Sequence, residues 1–227
     1  MKKLNIATLL CGLILFITSC GGSTTPTSVD EGETTSKSVA EVEVAIGKQV
    51  WTTKNLDVSK FRNGEAIPLA KTNAEWELAG KNKQAAWCYY DNNVANGTKY
   101  GKLYNWYAVN DKRGLAPKGY HIPSDAEWTK LTDYLGGDSI AGAKMKSTSG
   151  WIEDGNGSNS SGFNGLPGGY CTTDGSFGNV GAYVHWWSSS EVNTKFAWSR
   201  GLWEDNGIVA RDYFIVLNGY YVRCIKD

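Results

Sequence analysis

The sequence predicts an α+β domain in which short helices precede an antiparallel, aromatic-rich sheet, and three observations carry that expectation. Capped helix starts lie at Thr72 and Ser124. Short aromatic segments close the chain, broken by Asp205-Asn206-Gly207 and Leu217-Asn218-Gly219, the pattern of a meander joined by tight turns. Between them, residues 150–181 are crowded with glycine and small polar side chains and predict loop. Helices early and strands late describe an α+β arrangement. Residues 41–227 suffice for one domain with a sizeable core.

The first elements are not part of that domain. Lys2 and Lys3 precede an apolar run over residues 4–17, and Thr18-Ser19-Cys20-Gly21-Gly22 then supplies the small residues of a cleavage site. A membrane span needs about 20 apolar residues, and this run is shorter. It resembles the processing signal of a bacterial lipoprotein in its relaxed, Bacteroides-type form. The likeness implies that residues 1–19 are a signal peptide and that Cys20 carries palmitate-type acyl chains as a membrane anchor. Cys11 lies within the apolar run and reads as one more apolar residue. Residues 20–40, rich in Ser, Thr and Gly, predict a flexible tether. No acidic cluster of the kind that resembles a surface-export signal follows Cys20. The expectation is an outer-membrane lipoprotein, on the periplasmic side rather than the cell surface.

Within the domain, residues 41–51 alternate, with Val42, Val44 and Ile46 on one face, and predict a strand. Gly47 turns it, and residues 49–53 begin the next. Thr72 and Glu75 then make a capping-box pair, and Ser124 and Glu127 repeat it behind Pro123. In the second helix Trp128, Leu131 and Leu135 form one apolar stripe, ended by Gly136-Gly137. Asp138 is expected to cap a third helix through Lys146. Residues 103–109 (LYNWYAV) fit a buried helix or a strand. The late strands are expected at residues 183–188, 195–202, 208–217 and 220–225.

Composition excludes several functions. The 23 basic and 23 acidic side chains balance, and loss of Lys2 and Lys3 with the leader leaves a slight acidic excess. Nucleic acid, which requires a basic surface, is not an expected partner. There is no HExxH, no GxSxG and no phosphate-binding glycine loop. Asp154-Gly155-Asn156-Gly157-Ser158 suggests a calcium loop, but Asn159 stands where the EF-hand needs Gly. No cofactor is expected, and calcium has no specific motif behind it. Glu204-Asp205 are adjacent on a turn, whereas glycoside hydrolysis needs carboxyls facing each other across a sugar. An enzyme acting on an exported polymer is the least supported class. Beyond Cys20 stand Cys88, Cys171 and Cys224; three cannot all pair within one chain, so one is free or pairs between chains. No CxxC is present to hold zinc.

All ten Trp and twelve Tyr follow Cys20. Most are expected in a ring-built core, where each buried indole N–H needs a partner. His121 and His185 are expected to be packing residues, and one of Trp186 and Trp187 at least is core. On the strand before Asp205, alternation puts Trp198, Arg200 and Leu202 on one side and Ser199, Gly201 and Trp203 on the other. If Trp198 is buried, Trp203 reaches the surface beside Glu204, Asp205 and Asn206. With Arg200, Arg211 and Tyr213 these form the candidate ligand site. A ring covers the apolar face of a sugar while carboxylates, an amide and Arg211 bind its hydroxyls; the same residue types anchor protein partners. The competing reading has Trp203 packing a hairpin end and Arg211 paired with Glu204 or Asp212.

Several stretches together closely resemble a known family: WTTKNL from Trp51, WCYY from Trp87, YGKLYNWYAV from Tyr100, GYHIPSDAEW from Gly119, Gly162-Phe163, LPGGY from Leu166, WWSSS from Trp186 and Val222-Arg223-Cys224. Over residues 45–227, in order, they are similar to the Fibrobacter succinogenes major paralogous domain, found in lipoproteins and other surface or secreted proteins of Bacteroidetes and Fibrobacteres. GYHIPSDAEW is also similar to the GxRLPTEAEWE stretch of formylglycine-generating enzymes, and YYVRCI to their closing GFRCV strand. That likeness implies a C-type-lectin-like fold. The motifs around Cys171 and Cys224 do not match the copper-binding cysteines of those enzymes, so their chemistry is not carried over. The family likeness implies a Cys88–Cys224 disulfide with Cys171 free. In lectin-like folds the late loops form the recognition face, which implies a lipid-anchored envelope module that binds carbohydrate or another surface polymer. The alternative is a structural or adhesive protein with protein partners.

Overall fold

A computed structural model describes residues 43–227; the leader, Cys20 and the tether lie outside the described residues. The first strands, β1 (Glu43–Ile46) and β2 (Gln49–Thr52), form the expected antiparallel hairpin around Gly47. Gly47 has φ +62°, and a Cβ there would sit 2.9 Å from the Tyr134 ring, so both backbone and space call for glycine.

The helices and short strands follow. They are α1 (Asn73–Lys81), β3 (Trp87–Cys88), α2 (Val94–Tyr100), β4 (Leu103–Tyr104), α3 (Trp106–Val109), β5 (Tyr120–His121), α4 (Asp125–Tyr134) and α5 (Asp138–Met145). Residues 103–109 thus divide between a two-residue strand and one helical turn, with Asn105 as the cap between them. At α1 the Thr72 side chain accepts from Glu75 N, while the Glu75 carboxylate reaches back to Lys71 N at 2.6 Å, one residue beyond a reciprocal box. At α4 the Ser124–Glu127 box is complete, and Trp128, Leu131 and Leu135 are buried as their spacing predicts. The cap of α5 differs from expectation. Gly137 holds the cap position at φ +97°, a conformation Asp138 would adopt only under strain, and Asp138 becomes the first helical residue.

The second half is mostly strand: β6 (Tyr170–Cys171), β7 (Phe177–Gly178), β8 (Tyr183–Asn193), β9 (Phe196–Trp203), β10 (Ala210–Ile215) and β11 (Ile225–Lys226). A four-stranded sheet runs β1-β2-β11-β5 and a three-stranded one β10-β9-β8, every pairing antiparallel. The architecture is α+β. Ser188-Ser189-Ser190 does not end β8 as expected; the ladder shifts register between Trp187 and Glu191 and pairing continues to Asn193. Residues 220–224 make isolated bridges instead of a full strand, Tyr220 to Tyr104 and Tyr221 to Trp186, and so stitch the sheets together.

The three-stranded sheet divides two buried clusters. Trp186 and Leu202 face one, with Trp51, Trp128 and Phe163; Trp187 and Ala197 face the other, with Trp87, Tyr104 and Tyr220. Adjacent Trp186 and Trp187 are thus both core. Of the ten Trp, only Trp198 and Trp203 are not buried. Seven of the buried eight donate their indole N–H, for example Trp187 to Tyr104 O at 2.9 Å and Trp106 to Ser188 O at 2.9 Å. Trp128 Nε1 alone is buried without a partner.

Cys88, Cys171 and Cys224 are buried free thiols in this structure, and Cys88 and Cys224, which the family likeness would pair, lie in different clusters. The reason is alternation along β3. Trp87 points into the cluster that holds Cys224, and Cys88 therefore points into the other, which holds Cys171.

Candidate functional site

The seven candidate residues fall in three places. Arg200, Arg211 and Tyr213 share one face of the sheet, and none of them touches Trp203. Arg200 is only 1% exposed; its guanidinium donates to Asp125 Oδ1 at 2.7 Å, Asp125 O at 3.1 Å and Thr129 Oγ1 at 3.0 Å. It fastens α4 to the sheet. Arg211 pairs with neither Glu204 nor Asp212. It reaches Asp125 through two nitrogens, at 3.0 and 2.8 Å, and lies 3.8 Å over the Trp198 ring. Burial raises the Asp125 pKa, but hydrogen bonds from Arg211 and Arg200 outweigh it and hold this carboxyl below its usual value. Tyr213, 54% exposed, stands edge-on to Trp198.

Glu204, Asp205 and Asn206 form the turn after β9; the Asp205 and Asn206 side chains are engaged there, while Glu204 Oε2 is buried without a hydrogen-bond partner among the described residues. Lys146 Nζ donates to the carbonyls of Trp203 and Glu204, at 2.8 and 3.1 Å. Asn206 donates to Asp205 Oδ1 at 2.7 Å and accepts from Ile208 N at 2.9 Å. These groups hold the end of β9 in place.

Trp203 occupies the opposite face of β9, as the alternation predicts. It is half-buried in a cleft of about 430 Å3 closed by Tyr183, His185, Phe214 and Tyr220, with Tyr170, Asn179 and Asn218 at its polar side. Tyr183 meets the indole edge-on, ring centres 6.0 Å apart and planes at 84°. Asn179 donates to the Tyr170 hydroxyl at 3.3 Å and Asn218 to the Tyr220 hydroxyl at 3.0 Å, which fixes both amides. His185 stacks on Tyr220 with ring centres 4.8 Å apart. Burial drives its pKa down to about 4, so the imidazole is neutral. The ring lies across Gly201, where a Cβ would come within 2.7 Å of Cε1.

The chemistry of this cleft is that of a binding surface. Among the described residues, no Lys, Arg, Asp or Glu lines it. Its walls are rings and its polar groups amides and phenols, which suits a neutral ligand with one apolar and one hydroxylated side. Of its lining only Trp203 was a candidate from sequence. Tyr170, Asn179 and Asn218 lie in loops or short strands, where no periodicity shows which way a side chain points. The one usable signal was the Leu217-Asn218-Gly219 turn.

A second cleft, of about 350 Å3, is lined by Arg62, His121, Glu127 and Ser189 among others. His121 is more than a packing residue: Nε2 faces Glu127 Oε1 at 2.9 Å and Nδ1 faces Asp227 Oδ1 at 2.8 Å. Both nitrogens are taken by carboxylates, so the ring is not free to act as base for Ser189. Among the described residues no group of three or more His, Cys, Asp or Glu side chains is placed to hold a metal ion, and the segment from Asp154 is a surface loop.

No curated protein and no solved structure gives a significant match to this chain. A family model does. The Fibrobacter succinogenes major domain matches residues 44–226, from the second residue of β1 to the last of β11, and so spans both clusters and both clefts. With that match covering most of its length, the chain belongs to the Fibrobacter succinogenes major domain family.

Proposed function

We propose that this protein is a lipid-anchored binding module of the cell envelope that recognises neutral carbohydrate in the Trp203 cleft. One observation carries the reading: a half-buried indole, set edge-on to Tyr183, faces a cleft lined by amides and phenols and by no charged side chain. A sugar ring offers an apolar C–H face to Trp203 and hydroxyls to Asn179, Asn218 and Tyr170. The absence of lining charge disfavours phosphorylated or acidic ligands, whose desolvation would go uncompensated. Short helices ahead of an antiparallel aromatic sheet, with the GYHIPSDAEW and YYVRCI likenesses, support a C-type-lectin-like fold. Acylation of Cys20 would hold the module on the outer membrane, on the periplasmic side, with the tether giving it reach.

The test is titration of the full-length protein with a panel of neutral glycans, with and without calcium, followed by intrinsic fluorescence. Saturable binding lost in Trp203→Ala and kept in Trp198→Ala is the expected result. Silence toward every glycan by the folded protein would remove the reading. A second reading, a protein partner, is favoured by the exposed Tyr213 and the Trp198–Arg211 stack on edge strand β10. It predicts glycan-independent capture that is lost in Tyr213→Ala and not in Trp203→Ala.

A further inference from the structure

The cysteines admit one pairing, and it differs from the one the family likeness implies. Cys88 and Cys171 are 1% and 0% exposed in the same cluster, and burial together with the neighbouring Cys171 thiol pushes the Cys88 thiol well above its ordinary pKa. Cys88 is fixed in β3 opposite Leu103. Cys171 is fixed by two backbone bonds with Gly219, at 3.0 and 2.8 Å, and a Cβ at 219 would lie 2.8 Å from the Cys171 Cβ. Glycine there lets the 217–219 turn press against Cys171. Cys224 lies in the other cluster, across β3.

We propose that Cys88 and Cys171 form the disulfide of this domain and that Cys224 stays a thiol. The bond would join β3, in the first half of the chain, to β6 beyond the long loop. With glutathione disulfide as oxidant, one cysteine thiolate attacks it, forming a mixed disulfide and releasing one glutathione. The second thiolate then attacks the protein sulfur of that mixed disulfide, closing the Cys88–Cys171 bond and releasing the second glutathione. Two thiol protons pass to solvent and two electrons to the glutathione pair. Both sulfurs are enclosed in the folded domain, so the exchange takes place while the chain folds. Export through the Cys20 signal would supply an oxidising compartment; the glutathione experiment does not depend on that reading or on glycan binding.

The full chain is unfolded, reduced and refolded in glutathione redox buffer, then alkylated under denaturing conditions and mapped without reduction, with Cys11 and Cys20 followed in their own peptide. The expected map joins the Cys88 and Cys171 peptides, 2 Da below the sum of their thiol forms, with Cys224 alkylated. Cys224→Ala keeps the link and Cys171→Ala loses it. Recovery of Cys88, Cys171 and Cys224 all alkylated, or a Cys88–Cys224 link, would overturn the proposal. Because the wild-type map decides the matter, a variant that misfolds does not obscure it.

Discussion

The Asn55 carbonyl oxygen accepts from Arg223 Nε at 2.7 Å and from Trp186 Nε1 at 2.8 Å, in a position sealed from solvent. Asn55 also donates to Tyr100 O at 2.8 Å, and Arg223 donates to Thr52 O, Phe163 O and Asn164 O. The residues come from WTTKNL, WWSSS, Val222-Arg223-Cys224 and Gly162-Phe163, stretches that carried the family likeness. Their shared task is architectural, since one amide joins parts of the chain more than 100 residues apart.

Loss of that amide should be costly. Asn55→Ala removes the acceptor of a buried guanidinium and an indole together and leaves Tyr100 O unpaired, so a loss of about 3–5 kcal/mol is expected. Asn55→Asp keeps the acceptor and gives Arg223 a counter-charge, at the expense of the bond to Tyr100 O, and should cost less. Urea unfolding of both variants checks the order; equal losses would mean that the bond to Tyr100 O, which both variants lack, dominates and not the lost acceptor.

Arg200 and Arg211 share the carboxylate of Asp125 but should respond very differently to removal. Arg200 is 1% exposed, and Arg200→Ala takes a buried ion-pair partner from Asp125, at about 3 kcal/mol. The Arg211 side chain is 42% exposed, and Arg211→Ala should cost at most about 1 kcal/mol. Denaturation midpoints separate the two; a large loss in Arg211→Ala would show that its stacking on Trp198 holds the sheet edge.

That contrast also marks what the sequence could reveal. Alternation placed Arg200 and Trp203 on opposite sides of β9, and the spacing of Ser124, Glu127, Trp128 and Leu131 located α4, because both are local periodicities. Nothing local announced Asp125 as the partner of two arginines 75 and 86 residues away. Glu204, Asp205 and Asn206 looked like ligand groups because turn residues are usually solvated; here the turn itself occupies Asp205 and Asn206, and Glu204 Oε2 is buried. The cleft around Trp203 is closed by Tyr170, Asn179 and Asn218, whose directions are set by tertiary contacts.

Gly201 and His185 offer a test of cleft geometry that does not require the ligand. Gly201→Ala would put its methyl 2.7 Å from Cε1 and 2.8 Å from Nδ1 of a ring already stacked on Tyr220. The overpacking cost should be about 1–3 kcal/mol. In a His185→Ala background the added cost of Gly201→Ala should largely vanish, a coupling read from a double-mutant cycle. Additive losses would mean that the glycine is needed for its backbone instead.

His121 gives the domain a pH dependence whose sign follows from its two partners. An imidazole can donate to Glu127 and Asp227 together only as the cation. Burial lowers its pKa, but the hydrogen bonds to Glu127 and Asp227 prevail and hold it above the ordinary value. A raised folded pKa contributes stability that is full below the unfolded value, about 6.5, and disappears as pH rises through the folded one. Glu127 acts at the other end. Burial raises its pKa, but bonds from Ser124 and His121 outweigh this and depress it, so its contribution fades as pH falls through that lowered value. The contact should therefore be strongest from about pH 4.5 to about pH 6.5 and weaken above. With the His121 side chain 39% exposed, solvent screening limits the effect to at most about 1 kcal/mol. Urea midpoints at about pH 6 and about pH 9 should move apart in the wild type by more than in His121→Gln, which cannot become a cation. Parallel profiles would show that the ring holds the C-terminus to α4 without its charge.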